Sequence, residues 1–267
     1  MSKLEDLHAL TLSVARLGRG LVAFQPAPRE PAALLELFDF EGCPYCRKVR
    51  ETLSELDLDY LARSSARGAS SRVAGIALGG KRQFPILHDA NSFAKSAPSE
   101  ARGSERGWGP AEKAQPLERL PATSSGAVLY ESEAIIDYLH TTYGAGRSRW
   151  QTLLAPLDTA GSTLTSALRR RGKRVRDGLA GRPQPAQLLE LWSFEASPYC
   201  RKVREELAEL GLDYIVHNVA KRGRRRPVLV ALGGKMQVPY LSDPNTGTAL
   251  YESDDIVAYL RTAYGTP

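Results

Sequence analysis

The chain has 267 residues, 42% hydrophobic and 25% charged, enough apolar content to bury a core in one large or two ordinary domains and too much for a disordered or fibrous protein. No apolar run approaches the roughly 20 residues that span a bilayer, and the opening MSKLEDLHALTLSVARL mixes acids and bases where a secretory signal would be apolar. The net charge of +6 resides in two places, residues 161–187 with a local balance of +6 and KRGRRR at 221–226 with +5; neither stretch holds an aromatic residue on which a base could stack, so both are expected to be solvated faces and not a nucleic-acid site.

An internal repeat sets the order of the predicted elements. PAALLELFDFEGCPYCRKVRETLSELDLDY, starting at Pro31, returns as PAQLLELWSFEASPYCRKVREELAELGLDY, starting at Pro185, an offset of 154. Residues 43–87 and 197–241 share 24 identities in 45 positions without a gap. Beyond them the offset falls to 121, pairing 129–144 with 250–265, so copy one carries 33 extra residues. A fainter echo, TLSVARLGRG at Thr11 and TLTSALRRRG at Thr163, precedes each copy. The expected organisation is a lead-in helix over residues 1–30, a first domain over 31–145, a helical basic linker and lead-in over 146–184, and a second domain over 185–267.

Within copy one, residues 34–40 are short and apolar, a strand, and Val49, Leu53 and Leu56 after Pro44 mark an amphipathic helix. Residues 58–63 make a second strand, and a helix rich in small residues closes at Gly79-Gly80. Phe84, Pro85, Ile86 and Leu87 form a third strand and residues 127–130 a fourth. The last helix starts at Ser132 and turns Ile135, Ile136, Leu139 and Tyr143 inward. Residues 93–125 contain only Phe93, Trp108, Leu117 and Leu120 as large apolar groups; they cannot make a core, are expected to be flexible, and hang from the tip of the hairpin that DPNTG closes in copy two. Each copy reads βαβαββα, an α/β, thioredoxin-like order.

Three motifs carry chemistry. Cys43-Pro44-Tyr45-Cys46 lies where the first strand gives way to its helix, beside free backbone N–H groups and the positive end of the macrodipole, so Cys43 is the expected thiolate nucleophile and Cys46, one turn on, the shielded resolving thiol. Three cysteines in all cannot build a disulfide framework, which points to a reducing compartment, the cytoplasm; the four histidines show no ligand spacing, so no metal is expected. Pro85 after Phe84, and Pro239 after Val238, are expected to follow cis bonds that leave the preceding backbone free to pair with a peptide lying beside the thiol. Glu131-Ser132 and Glu252-Ser253 open the last helices, where N–H groups can take a carboxylate and the glutamate an ammonium, and one ligand end that bears both groups is a γ-glutamyl α-amino-acid moiety.

These residues resemble the glutaredoxins and the N-terminal, glutathione-binding domain of glutathione transferases, here doubled. The resemblance covers residues 31–144 and 185–265 and implies two tandem thioredoxin-like domains without the all-helical second domain of transferases. It implies glutathione as cosubstrate, catalytic Cys43 and Cys46, and a glutathione site of Tyr45, Lys81, Gln83, Phe84, Pro85, Glu131 and Ser132. The corresponding positions of copy two are Ser197, Tyr199, Cys200, Gln237, Val238, Pro239, Glu252 and Ser253. Where glutaredoxins place a lysine shortly before the first cysteine, this chain has Phe40-Glu41-Gly42, so Lys81, Arg82 or Gln83 would have to meet the glycyl carboxylate. Ser197 excludes a dithiol reaction in copy two, which either binds glutathione, with Ser197 hydrogen-bonding its thiolate as in serine-type transferases, or is degenerate and serves as a scaffold. The implied function is a glutathione-dependent thiol-disulfide oxidoreductase acting on glutathionylated proteins or small disulfides. The alternatives are a transferase acting on small electrophiles and a non-enzymatic glutathione-sensing scaffold. No membrane partner is expected, and the oligomeric state is open.

Overall fold

Residues 19–91, 126–147 and 171–266 are described by the computed structural model of the chain. Copy one runs β1 (Leu35–Asp39), α1 (Pro44–Glu55), β2 (Tyr60–Ser64), α2 (Ser70–Gly79), β3 (Ile86–Asp89), β4 (Ala127–Tyr130) and α3 (Ser132–Thr142). Copy two repeats it as β5 (Leu189–Ser193), α4 (Pro198–Leu210), β6 (Tyr214–Asn218), α5 (Arg226–Gly233), β7 (Tyr240–Asp243), β8 (Thr248–Tyr251) and α6 (Ser253–Tyr264). This is the βαβαββα order, twice, and among the described residues no all-helical domain accompanies it.

In each copy the first two strands are parallel, as the α1 and α4 crossovers require, and the last two form an antiparallel hairpin. Apolar residues of β1 and β5 face the helices: Leu35, Leu37, Leu189 and Leu191 are fully buried against Val49, Leu53, Val203 and Leu207, with Ile135 and Leu139 closing the same layer. The third strand begins at Ile86 and not at Phe84, because Pro85 has no N–H to give the ladder with β1. The Gly79-Gly80 pair ends α2 by two different means. A Cβ on Gly79 would fall on the Tyr130 hydroxyl, and Gly80 takes φ 75° as the left-handed C-cap.

The two copies share one sheet. Strand β2 pairs antiparallel with β6, Leu61 opposite Ile215, giving the order β4-β3-β1-β2-β6-β5-β7-β8. A pseudo-two-fold axis through that pairing relates the polar contacts flanking it. The Asp59 carboxylate accepts from the Asn218 backbone N–H at 3.0 Å and lies 2.7 Å from His217, while Asp213 accepts from the Ser64 N–H at 2.8 Å and pairs with Arg63 at 3.1 Å. Behind the sheet, Arg50 of α1 reaches Glu195 of copy two at 3.1 Å, and Arg204 of α4 reaches Glu41 of copy one at 3.1 Å. All four side chains are 5% exposed or less. Burial by itself would raise Glu195, yet Arg204, Arg50 and Arg47 hold its carboxyl down at about 2.

The segments leading into each copy cross to the other. Val22 bridges to Lys221 and Arg174 to Arg67. Of the expected lead-in helices, residues 1–18 and 148–170 lie outside the described residues, and 19–30 and 171–184 are turns with single bridges. The basic stretches, expected to be solvated, are in large part ion-paired, Arg171 and Arg176 to the α4 helix of their own copy and Arg224 and Arg225 across to copy one. Arg171 pairs with Glu209, Arg176 with Glu206 and Glu209, Arg224 with Asp57 and Arg225 with Asp59. Asp57 accepts this clamp from a left-handed backbone, φ 56°, where copy two has Gly211.

Candidate thiol site

The strand register gathers the three motifs at one edge of the sheet. Phe38 of β1 lies opposite Ile86 of β3, and Ile86 opposite Tyr130 of β4. The end of β1, which leads to Cys43, is thereby beside the start of β3, which follows Pro85, and beside the end of β4, which leads to Glu131 and Ser132. The Phe40 and Phe84 rings meet edge to face, centroids 6.3 Å apart, across the first of these junctions.

Cys43 is the N-cap of α1 and Pro44 its first residue, a fixed φ at a position where no N–H is needed. The Cys43 sulfur accepts from the Cys46 backbone N–H at 3.3 Å. Both cysteines are reduced, Cys43 4% exposed and Cys46 fully buried. Their acidities part in opposite directions. Hydrogen bonding from the Cys46 thiol lowers Cys43, against burial and with help from the Cys46 and Tyr45 backbone and the Arg50 charge. Burial raises Cys46 well above the ordinary thiol, and the Cys43 sulfur and Asp39 add to it. Tyr45, 48% exposed, stands at the mouth of the pair.

Phe84-Pro85 is a cis bond. Arg72 lies over the Phe84 ring, 4.7 Å from its centroid. Glu131 is the N-cap of α3 at φ 63°, ψ 121°, with no side-chain cap, so the capping residue is the glutamate and the helix begins with Ser132. A non-glycine residue at positive φ costs of order 1–3 kcal/mol and persists where the surroundings hold it. Here Gln83 Nε2 donates to the exposed Glu131 carboxylate. Lys81 sets its ammonium 5.4 Å from the Tyr130 ring centroid.

Copy two reproduces the frame. Val238-Pro239 is cis, Glu252 takes the same φ 63° and ψ 121° ahead of Ser253, and Gln237 donates to it. Ser197 caps α4, accepting from the Cys200 N–H at 3.2 Å, and Tyr199 is 51% exposed. Cys200 is fully buried, and burial raises its thiol. What copy two lacks is the nucleophile and a counterpart of Asp39, whose place Ser193 holds.

Sequence reasoning missed Arg50, whose charge helps lower Cys43, Asp39, which helps raise Cys46, and Arg72. It had one signal for Asp39: the aspartate of FDFEG faces a serine in WSFEA. Among the described residues no group of three or more His, Cys, Asp or Glu is placed to hold a metal ion, and no helix is long and apolar enough to cross a membrane.

No curated relative matches the chain. Among solved structures, Leishmania TDR1, described as a unique trimeric glutathione transferase, covers 86% of this chain and 68% of its own at 14% identity, with a TM-score of 0.27. The glutathione S-transferase, N-terminal domain family matches residues 37–97 and 191–267, together just over half of the chain and one segment in each copy. The chain therefore belongs to the glutathione S-transferase N-terminal domain family and carries that domain twice.

Proposed function

We propose that copy one is a glutathione-dependent thiol-disulfide oxidoreductase with Cys43 as its nucleophile. The observation that carries this reading is the division of the thiol pair, Cys43 lowered at the helix start and Cys46 raised one turn inside it. The Cys43 thiolate attacks the glutathione sulfur of a protein–glutathione mixed disulfide. The S–S bond breaks, the protein thiolate leaves and takes up a proton, and a Cys43–glutathione disulfide forms. A second glutathione thiolate then attacks the glutathione sulfur, releasing oxidised glutathione and restoring the Cys43 thiolate. Alternatively Cys46, once deprotonated, displaces glutathione and closes a Cys43–Cys46 disulfide that two further glutathiones reduce. The cis Phe84-Pro85 strand start and the Glu131-Ser132 helix start supply groups that match the backbone and γ-glutamyl end of glutathione. Copy two, with Ser197 in place of the nucleophile, is a glutathione-binding frame without redox chemistry. Turnover of a glutathionylated peptide, run beside a chlorinated aromatic electrophile with wild type and Cys43→Ser, tests this. Peptide reduction that vanishes in Cys43→Ser supports it, and conjugation of the electrophile without peptide reduction replaces it with the transferase reading.

A further inference from the structure

The basic segment that leads into copy two contains one cation that differs from its neighbours. Arg171, Arg174 and Arg176 each hold a carboxylate. Lys173 is half-buried, and among the described residues its ammonium has neither an ion pair nor a hydrogen bond. Its backbone is fixed to copy one, since its carbonyl accepts from the Arg67 N–H at 3.0 Å and the next residue but one returns a bond to Arg67. Its side chain lies along Gly42, the residue before Cys43. A Cβ on Gly42 would fall on Lys173 Cγ and come within 2.8 Å of Cε. The stem therefore occupies the space that the missing side chain leaves, and the charge at its tip stands by the turn that presents the nucleophile. Glu41, the acid of that turn, is already engaged by Arg50, Arg201 and Arg204.

The pseudo-symmetry makes this arrangement informative. The position equivalent to Lys173 in the first lead-in is Leu21, and the position equivalent to Gly42 in copy two is Ala196. Both halves of the contact, the cation and the glycine that admits it, are present only where there is a thiol pair. A purely structural clamp would have no reason to follow the cysteines. The Cys43 thiol is lowered chiefly by Cys46, Tyr45 and Arg50, which leaves the Lys173 charge for what docks beside it.

We propose that Lys173, delivered by the segment leading into copy two, binds the carboxylate at the glycyl end of the thiol cosubstrate at the Cys43 site, so that the site of copy one is completed by the second half of the chain. The proposal rests on the thiol-disulfide reading above. The test uses the full chain and compares glutathione with its glycyl ethyl ester as reductant of a glutathionylated peptide. Lys173→Gln should raise KM for glutathione fivefold to tenfold with kcat within twofold, Lys173→Arg should stay near wild type, and the ester should show the same KM with wild type and Lys173→Gln. Gly42→Ala, which copies Ala196, should displace the lysine stem and raise KM in the same direction, with no further increase when combined with Lys173→Gln. Equal KM for glutathione in wild type and Lys173→Gln, with wild type active, overturns the role of Lys173 alone. An equal loss with glutathione and the ester, together with a raised Cys43 pKa in pH-dependent alkylation, overturns it in favour of a cation acting on the thiolate. A wild type that reduces no peptide overturns the oxidoreductase reading and this one with it.

Discussion

Asp39 makes the folded protein less stable at neutral pH than it would be without that charge, and the size of the effect can be worked out. The carboxyl is 5% exposed, and burial raises it from an ordinary 3.8 to about 6, the Arg50 guanidinium offsetting only part of the rise and Glu41 and Glu195 adding to it. Between pH 3.8 and 6 the folded chain holds a proton that the unfolded chain has released. Stability therefore falls as pH rises through that window and is level above it. Two pKa units correspond to about 3 kcal/mol in full, of which about 2 kcal/mol falls between pH 4.5 and 7.5. Asp39→Asn removes the charge and keeps the shape, and Arg50 still has Glu41 and Glu195, so no buried guanidinium is stranded. Urea unfolding of both proteins across that range should show the variant gaining on wild type by about 2 kcal/mol as pH rises. The opposite trend of Glu195, whose lowered carboxyl stabilises the fold above its unfolded pKa of 4.5 and loses that effect as pH falls toward 2, lies below this range. A difference that stays flat with pH, or an Asn variant that is weaker at pH 7.5, refutes the reasoning.

Cys43→Ser should reduce glutathionylated peptide reduction to the uncatalysed background, while Cys46→Ser should keep the rate within about tenfold, roughly 1.4 kcal/mol of barrier, through the monothiol route; steady-state rates of both variants check this. Cys200 is fully buried, and burial raises its thiol above the ordinary value, so mass-spectrometric alkylation should mark Cys43 long before Cys200. Joining Ser92 to Gly126 by deleting residues 93–125 should leave glutathione KM and Cys43 alkylation within about threefold, because the insertion leaves the hairpin beyond Asp89 and Ala127, the end of the ladder opposite Ile86 and Tyr130. A tenfold loss, about 1.4 kcal/mol, would show that this segment, including Trp108, contributes to the site.

Most of the fold was legible because each copy buries one face of each element and periodicity reports that face. The Val49, Leu53, Leu56 stripe, the short apolar strands and the turn at Gly79-Gly80 all show this. The junction between copies left no such trace. From Cys46 to its end at Glu55, α1 is buried all round, Arg47, Lys48, Arg50 and Glu51 included, and a face buried by ion pairing reads in the sequence as a solvated polar face. Glu41 looked like a departure from a family pattern that wants a lysine. It is one end of the Arg204 pair, and the repeat holds Glu195 at the same place for Arg50. Of the motifs, the cysteine pair and both prolines could be read from spacing, whereas the positive φ of Glu131 and Glu252 could not, since nothing in LYES distinguishes a capping serine from a capping glutamate.

The repeat also separates what the fold needs from what the chemistry needs. Pairs that keep their identity across the copies build the shared sheet and its junction: Glu41 with Glu195, Arg50 with Arg204, Asp59 with Asp213, Tyr60 with Tyr214. Pairs that differ near the end of β1 do so together: Cys43 against Ser197, Asp39 against Ser193, Gly42 against Ala196, and Lys173 against Leu21. Here three of the four lie within five residues of one thiol, the fourth, Lys173, packs on Gly42 from the second lead-in, and one of them, Asp39, holds a buried carboxyl whose ionisation opposes folding. A stability cost confined to the copy with the cysteine pair is the pattern expected of residues retained for chemistry. Copy two would then stabilise the shared sheet, since its β6 covers the β2 edge that copy one alone would expose.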